Sequence, residues 1–324
     1  MKIAFYLNNL SFRGTTVATL DYAYYNEKIL GNESIIIYPN KLINENIDIN
    51  FSKRYEIAEK CKSNFLTIAY ETNEEIISKL DELNCHHVYM LKAGFRDDVW
   101  FEGKTNLVHA VFGCYDPHGT YAYVSKWLSE SVSNNTIPYV PHIVKLPKEQ
   151  TENFREKYNI TKDKIVIGRY GGFDQFDIQF VHNIISFVVS NDPKFVFMFV
   201  NTRKFIDHPN VLFLDAMIDS QEKTNFILSC DAMIHARSDG ESFGLSIGEF
   251  LFHNKPVFSF GGGRDKNNVE LLQKYGLIFN NEYELLDKIF KLKYNGYTEQ
   301  FSEIVKIFSP ENVMERFHEI FLRK

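Results

Sequence analysis

The stretch His235-Ala236-Arg237-Ser238-Asp239-Gly240-Glu241-Ser242-Phe243-Gly244-Leu245-Ser246-Ile247-Gly248-Glu249 holds three kinds of sequence in a row. An apolar run over 232–236 reads as a strand, a polar loop with a glycine follows, and a helix beginning near Phe243 or Gly244 runs to Phe252. Strand, loop and helix in this order are the repeat from which parallel α/β sheets are built. Two carboxylates stand out. Glu241 lies in the loop, at or just before the helix start, and Glu249 lies about two turns further on. Ile247, Gly248, Phe250 and Leu251 bracket Glu249, so its side chain is buried unless that face meets a cleft. An unpaired buried carboxylate is costly. A capping glutamate followed by a buried structural ion pair accounts for the same residues equally well.

The same alternation extends in both directions. In the first part, residues 2–7, 34–38, 88–91, 107–112 and 121–124 read as strands, with helices over 14–30 and 71–83. The first of these helices opens at the turn Arg13-Gly14-Thr15-Thr16, and Ser125-Lys126 opens another after the last strand. Residues 134–149 break the rhythm with Pro138, Pro141 and Pro147 and read as a crossing between lobes. A second series follows, with strands at 164–169, 194–200, 211–214, 232–236 and 256–260. Its helices fall at 178–189, 220–228, 243–252, 267–274 and 283–292. Pro310-Glu311 introduces a last helix to about Arg323. The expected architecture is α/β, two Rossmann-like lobes facing a cleft: residues 1–145, residues 146–308, and a C-terminal helix over 309–324. Open parallel sheets take ligands beyond the carboxyl ends of their strands.

Composition narrows the function classes. The chain has 324 residues, 36 Lys or Arg against 42 Asp or Glu, a formal charge of -6, and 44% apolar residues, which excludes wholesale disorder. An acidic balance without a basic stripe argues against nucleic acid as a partner. The start, Met1 to Asn9, is too brief and polar for a signal peptide, and no window reaches the ~18 apolar residues a membrane span needs. Cys61, Cys85, Cys114 and Cys230 form no CxxC pair and read as reduced thiols of a cytoplasmic protein, with peripheral membrane contact left open. The adjacent pair Asp97-Asp98 is not the spaced Asp-x-Asp that would suggest a metal, so no metal ligands are assigned.

Two acidic groups on one loop–helix segment can grip the hydroxyls of a sugar and of a ribose, while the first N–H groups of that helix meet phosphate. Glu241 and Glu249 in Glu-x7-Glu spacing, followed by Asn254-Lys255-Pro256-Val257 and Gly261-Gly262-Gly263, resemble the donor-binding segment of retaining glycosyltransferases of the GT-B fold, family 4. The resemblance implies transfer of a sugar from a nucleotide-sugar donor, UDP- or GDP-linked, to a glycan or other hydroxyl acceptor, with retention, no metal and no further cofactor. It implies that Glu241 contacts the transferred sugar and Glu249 holds the ribose. It extends the donor-binding set to Arg237, Gly240, Ser242, Phe243, Gly244 and Leu245. Ile167-Gly168-Arg169-Tyr170-Gly171-Gly172 resembles the family's phosphate-binding start, which gives Arg169 the diphosphate. Arg169 and helix N–H groups would then offset the leaving-group charge. The family's later lysine-glycine pair is replaced by Asp174-Gln175-Phe176-Asp177, leaving Arg237, Arg203 or Lys204 as the second phosphate cation, or Arg169 and backbone N–H groups without one.

Gly14 and Thr15 occupy the place of the family's glycine-rich turn, which implies that the Gly14 backbone and the Thr15 hydroxyl or N–H contact the donor phosphate and the acceptor side. GxGxxG is absent, which counts against a nicotinamide dehydrogenase. A histidine after a strand of the first lobe faces the donor sugar in that family. His109 is the candidate and His118 its rival, and a hydrogen-bonded core histidine fits either as well. The C-terminal helix is expected to cross back to the first lobe. The alternatives are a nucleotide-sugar epimerase or phosphorylase of the same architecture, or a non-catalytic nucleotide- or glycan-binding relative. A glucosyltransferase acting on DNA is disfavoured by the charge. Among the surplus aromatics, Phe195, Phe197, Phe199 and Phe213 read as core. Tyr115, Tyr121 and Tyr123 fall where rings can stack on a sugar, or in core packing.

Overall fold

The computed structural model describes residues 1–11, 14–44, 51–217, 219–297 and 300–323, so Arg13 lies outside the described residues. The chain divides into two compact units, Met1–Ile143 with Ser309–Lys324, and Val144–Phe308. Each is built on one six-stranded parallel sheet. The first unit contains β1 (Lys2–Tyr6), β2 (Glu33–Pro39), β3 (Leu66–Tyr70), β4 (His87–Lys92), β5 (Thr105–Ala110) and β6 (Thr120–Tyr123), arranged β3-β2-β1-β4-β5-β6. The second contains β7 (Ile165–Tyr170), β8 (Phe195–Val200), β9 (Val211–Leu214), β10 (Ala232–His235), β12 (Val257–Phe260) and β14 (Ile278–Phe279). Their order is β14-β12-β10-β7-β8-β9, while β11 (Gly240–Glu241) and β13 (Asp265–Lys266) form a separate two-stranded ribbon. Counted within each unit, both sheets have the doubly wound order 3-2-1-4-5-6, which turns direction between the first and fourth strands.

Burial on both faces explains the composition of the central strands. Phe195, Phe197, Met198 and Phe199 in β8 and Ile36, Ile37 and Tyr38 in β2 are fully buried, as the near-continuous apolar runs of parallel strands require. Phe213, in edge strand β9, is half-buried and stacks on Phe199 at 5.5 Å between centroids. The last helix, Pro310–Phe317, is capped by Ser309, whose hydroxyl accepts the N–H of Asn312 at 3.4 Å, and starts on proline. It belongs to the first unit, where Phe317 stacks on Tyr22 at 5.3 Å and Phe321 meets His109 at 5.5 Å.

The sequence reading missed the helix Phe51–Asn64 and the strand β3 after it. β3 is an edge strand whose Leu66 is 55% exposed, so it carries no unbroken buried run. The helix after Glu241 begins at Leu245, not at Phe243 or Gly244, because Gly244 stands in the left-handed region at φ 87° and caps it. Among the described residues no helix is long and apolar enough to cross a membrane. Cys61, Cys85, Cys114 and Cys230 are all free thiols, and burial pushes the Cys61 thiol up to about 11.

Candidate functional site

The turning point of the second sheet lies between β7 and β10, where ligands of doubly wound sheets bind beyond the strand ends. β7 ends at Arg169 and Tyr170, and β10 ends at His235, with Arg237 two residues on. The topology therefore brings Arg169, Arg237 and Glu241 to one sheet end although Arg169 is distant from the others in sequence.

Glu241 is held on both oxygens. His235 Nε2 lies 3.0 Å from its Oε1, and Arg237 Nη1 donates to its Oε2 at 3.3 Å. Burial pushes the Glu241 carboxyl up, but the contacts with His235 and Arg237 outweigh it and hold the group below its ordinary value. Glu241 is thus a carboxylate at neutral pH. Behind it, His235 Nδ1 lies 3.0 Å from the hydroxyl of Ser259, its register partner on β12, and Asn268 Nδ2 donates to the same hydroxyl at 2.8 Å.

The loop carrying Arg237 is clamped from another side. Asp177 accepts the backbone N–H of Ser238 at 2.8 Å and also its hydroxyl. The acidic stretch 174–177 is thus tied through Asp177 to the loop that presents Arg237. Arg203 and Lys204, the other cations considered, are exposed and paired with Asp174 and Asp207 at 2.5 Å and 2.9 Å. Two glycines bring the neighbouring loops together. A Cβ on Gly240, which has φ +71°, would lie 1.9 Å from the carbonyl oxygen of Asp265, and one on Gly263 would lie 2.4 Å from Gly240 Cα.

Arg169 is buried, with 3% exposure, and its guanidinium donates to Thr202 Oγ1 at 2.5 Å and to the carbonyls of Asn201 and Gly172 at 3.2 Å and 2.9 Å. Gly171 leaves room for it, since a Cβ there would meet Nη2 at 2.8 Å. Burial lowers the Arg169 pKa to about 10, partly offset by the charges of Glu241 and Asp177, so the group stays cationic at neutral pH. Arg237 lies within its electrostatic reach, and the buried Nε of Arg237 has no partner among the described residues.

Glu249 is buried inside the helix Leu245–Phe252 and is paired within the protein. Lys223 Nζ lies 3.1 Å from its Oε1, and the Tyr170 hydroxyl donates to its Oε2. An ionised carboxylate has about four acceptor positions, so both oxygens retain capacity for a ligand hydroxyl. Gly244 and Phe243 are buried, Ser242 and Leu245 half-buried, and Gly240 buried in β11. The first N–H groups after Gly244 have no carbonyl of their own helix to meet, the usual condition for anion binding at a helix start.

In the first unit, exposed Gly14 and half-buried Thr15 open the helix Gly14–Lys28 directly after β1. His109 is a core residue with no exposed surface. Its Nε2 meets the Val140 carbonyl at 2.8 Å, and the Tyr89 hydroxyl meets Nδ1 at 2.7 Å. Burial lowers its pKa to about 4. That is the hydrogen-bonded core arrangement, and no atom of His109 is presented outward. His118, 8% exposed, places Nδ1 at 2.6 Å from the Asp116 carbonyl, while Nε2 is buried without a partner among the described residues. Tyr121 and Tyr123 are buried, their hydroxyls donating to the carbonyls of Gly94 and Cys114 at 2.7 Å each, whereas Tyr115 is 62% exposed.

Sequence reasoning missed His235, Ser259, Asn268 and Asp177 as parts of this site. The available signal was a polar residue within the apolar strands Ala-Met-Ile-His and Val-Phe-Ser-Phe, but only the β10–β12 register shows that they meet. Among the described residues no group of three His, Cys, Asp or Glu side chains is placed to hold a metal ion.

No protein-family model matches the chain, and no curated protein matches it in sequence. Solved structures do. A glycosyltransferase from Rickettsia africae is similar with a TM-score of 0.67 at 18% identity, over 100% of this chain and 99% of its own. WaaG, a glycosyltransferase involved in lipopolysaccharide biosynthesis, has a TM-score of 0.67 at 11% identity, over 99% of this chain and 100% of its own. Anabaena HepE, solved in complex with UDP-glucose, has a TM-score of 0.65 at 11% identity, over 99% of this chain and 95% of its own. The fold is GT-B-like, two Rossmann-like units with the C-terminal helix returned to the first.

Proposed function

We propose that the chain is a glycosyltransferase that moves a sugar from a nucleotide-sugar donor to a hydroxyl acceptor, with retention and without a metal. The observation that carries this reading is the Glu241 carboxylate, kept ionised between His235 and Arg237 at the turning point of the second sheet. In this reading Glu241 accepts a hydrogen bond from the transferred sugar and steadies positive charge at its anomeric carbon. Arg237 serves as the second cation for the diphosphate in place of the missing lysine. Together with Arg169 and the N–H groups after Gly244 it offsets the charge that appears on the leaving group. Glu249 takes the ribose hydroxyls, with Lys223 balancing its charge. Gly240, Ser242, Phe243 and Leu245 shape the donor pocket, and Gly14 and Thr15 of the first unit approach the donor phosphate from the acceptor side. A UDP-sugar is the first donor to try, since HepE was solved with one.

The test is a screen of UDP-, GDP- and ADP-sugars for thermal stabilisation and nucleoside diphosphate release. At least one donor should raise Tm and turn over, and Glu241→Gln should cut kcat about 100-fold or more while sparing nucleotide binding. Wild-type kinetics in that variant would remove Glu241 from the reaction. Donor binding without turnover would favour a non-catalytic binding protein, and a new sugar epimer as product would favour an epimerase.

A further inference from the structure

We propose that His235 is the positioning residue for Glu241, with the proton on its Nε2 fixed through Ser259 by Asn268. The inference rests on the reading of Glu241 as the sugar-contacting carboxylate, and its direction follows from hydrogen bonds alone. Asn268 Nδ2 lies 2.9 Å from the Phe260 carbonyl, which can only accept, so the amide is oriented with its NH₂ toward Phe260. The same NH₂ donates to Ser259 Oγ at 2.8 Å. Among the described residues, the only acceptor that remains for the Ser259 proton is His235 Nδ1, at 3.0 Å. Nδ1 is therefore bare, and the imidazole proton sits on Nε2, aimed at Glu241 Oε1 at 3.0 Å. Ser259, with no exposed surface, is a hydrogen-bond relay and not a nucleophile.

This arrangement does two things for the carboxylate. It holds Oε1 by a donor of fixed direction, so that Oε2 and the remaining lone pairs are presented in one orientation. It also keeps the Nε2 lone pair from facing the carboxylate, so Glu241 is held toward the cation-like centre that forms on the sugar. The opposite tautomer would set a lone pair of Nε2 against the carboxylate and turn Glu241 away. A catalytic histidine held in the wrong tautomer costs about 10⁴ in kcat in serine proteases, which shows how much such a relay can control.

The first test needs no substrate. With ¹⁵N-labelled histidine, the resonance lost in His235→Gln identifies His235, and its ¹⁵N shifts at pH 8 report which nitrogen carries the proton. The expected result is the neutral Nε2–H form in the wild-type chain and a loss of that preference in Ser259→Ala. An Nδ1–H or cationic ring in the wild-type chain overturns the proposal whatever the enzyme does. The second test uses the donor found by the screen. His235→Gln keeps an N–H for Glu241 and an oxygen for Ser259, and should stay within about fivefold of wild-type kcat. His235→Leu should lose about 100-fold in kcat with donor KM changed by less than about threefold. Thermal melts with UDP confirm that each variant is folded and binds. Equal losses in the Gln and Leu variants, or a loss confined to KM, would assign His235 a purely structural role. If no donor is turned over by the wild-type chain, the transferase reading fails while the ¹⁵N result still decides the relay.

Discussion

At the residue scale, Glu249 carries two readings in the sequence, a buried ion pair and a ribose contact. It is a buried ion-pair member, tied to Lys223 and Tyr170, and the ribose contact is the second role we propose for it. The two roles are separable by substitution. Glu249→Ala leaves Lys223 without its counter-charge and Tyr170 without an acceptor, and should destabilise the second unit by about 3 kcal/mol in urea unfolding. Glu249→Gln keeps an acceptor for Tyr170 and should cost less than half of that while weakening donor affinity about tenfold or more by calorimetry. Donor affinity unchanged in the Gln variant would leave Glu249 with the ion pair alone. Glu241, Glu249, Arg169 and Arg237 were legible in the sequence because each sits in a local pattern of strand, glycine and helix. His235 was not, since its meaning comes from Ser259 and Asn268, which only sheet register and a loop bring to it.

At the scale of elements, the site depends on close approaches of backbone that glycine alone allows. Gly240 combines φ +71° with a Cβ position 1.9 Å from the Asp265 carbonyl, where β11 meets β13. Gly276, at φ +67°, has nothing within 4 Å. The pair separates backbone strain from crowding. Gly276→Ala should cost about 1 kcal/mol, the left-handed penalty, whereas Gly240→Ala should cost about 3 kcal/mol and reduce nucleotide binding, because the ribbon that carries Glu241 must move. Equal costs in urea unfolding would mean that the ribbon yields freely. The strands with continuous apolar runs, such as β2 and β8, were readable for the same reason that they are stable, burial on both faces. β3 was not readable, because one of its edges and part of one face meet water, and its Leu-Thr-Ile-Ala-Tyr keeps no single period.

At the scale of the whole molecule, buried histidines set an acid limit on stability. Burial lowers His109 to about 4 and His253 to about 4, and holds His142 well below its ordinary value. Each takes up a proton more readily when unfolded, so stability is full above the unfolded value near 6.5 and falls as pH drops from there toward 4. For His109 alone this amounts to roughly 3 kcal/mol. Urea unfolding at pH 7.5, 5.5 and 4.5 should show the decline, and His109→Gln should flatten it; an unchanged slope in that variant would place the proton uptake elsewhere. Part of the aromatic surplus visible in the composition packs around His109, where Tyr22, Tyr89 and His109 meet Phe317 and Phe321. Those last two rings reach the first unit from beyond Phe308, after the entire second unit in chain order. On the ribosome, translating the intervening segment at 5–20 residues per second takes roughly 10–30 s. Throughout that interval the nascent first unit carries an uncovered aromatic wall, while the second unit, contiguous in sequence, needs nothing made after Phe308. The later-made half of the protein is therefore the first that can be finished.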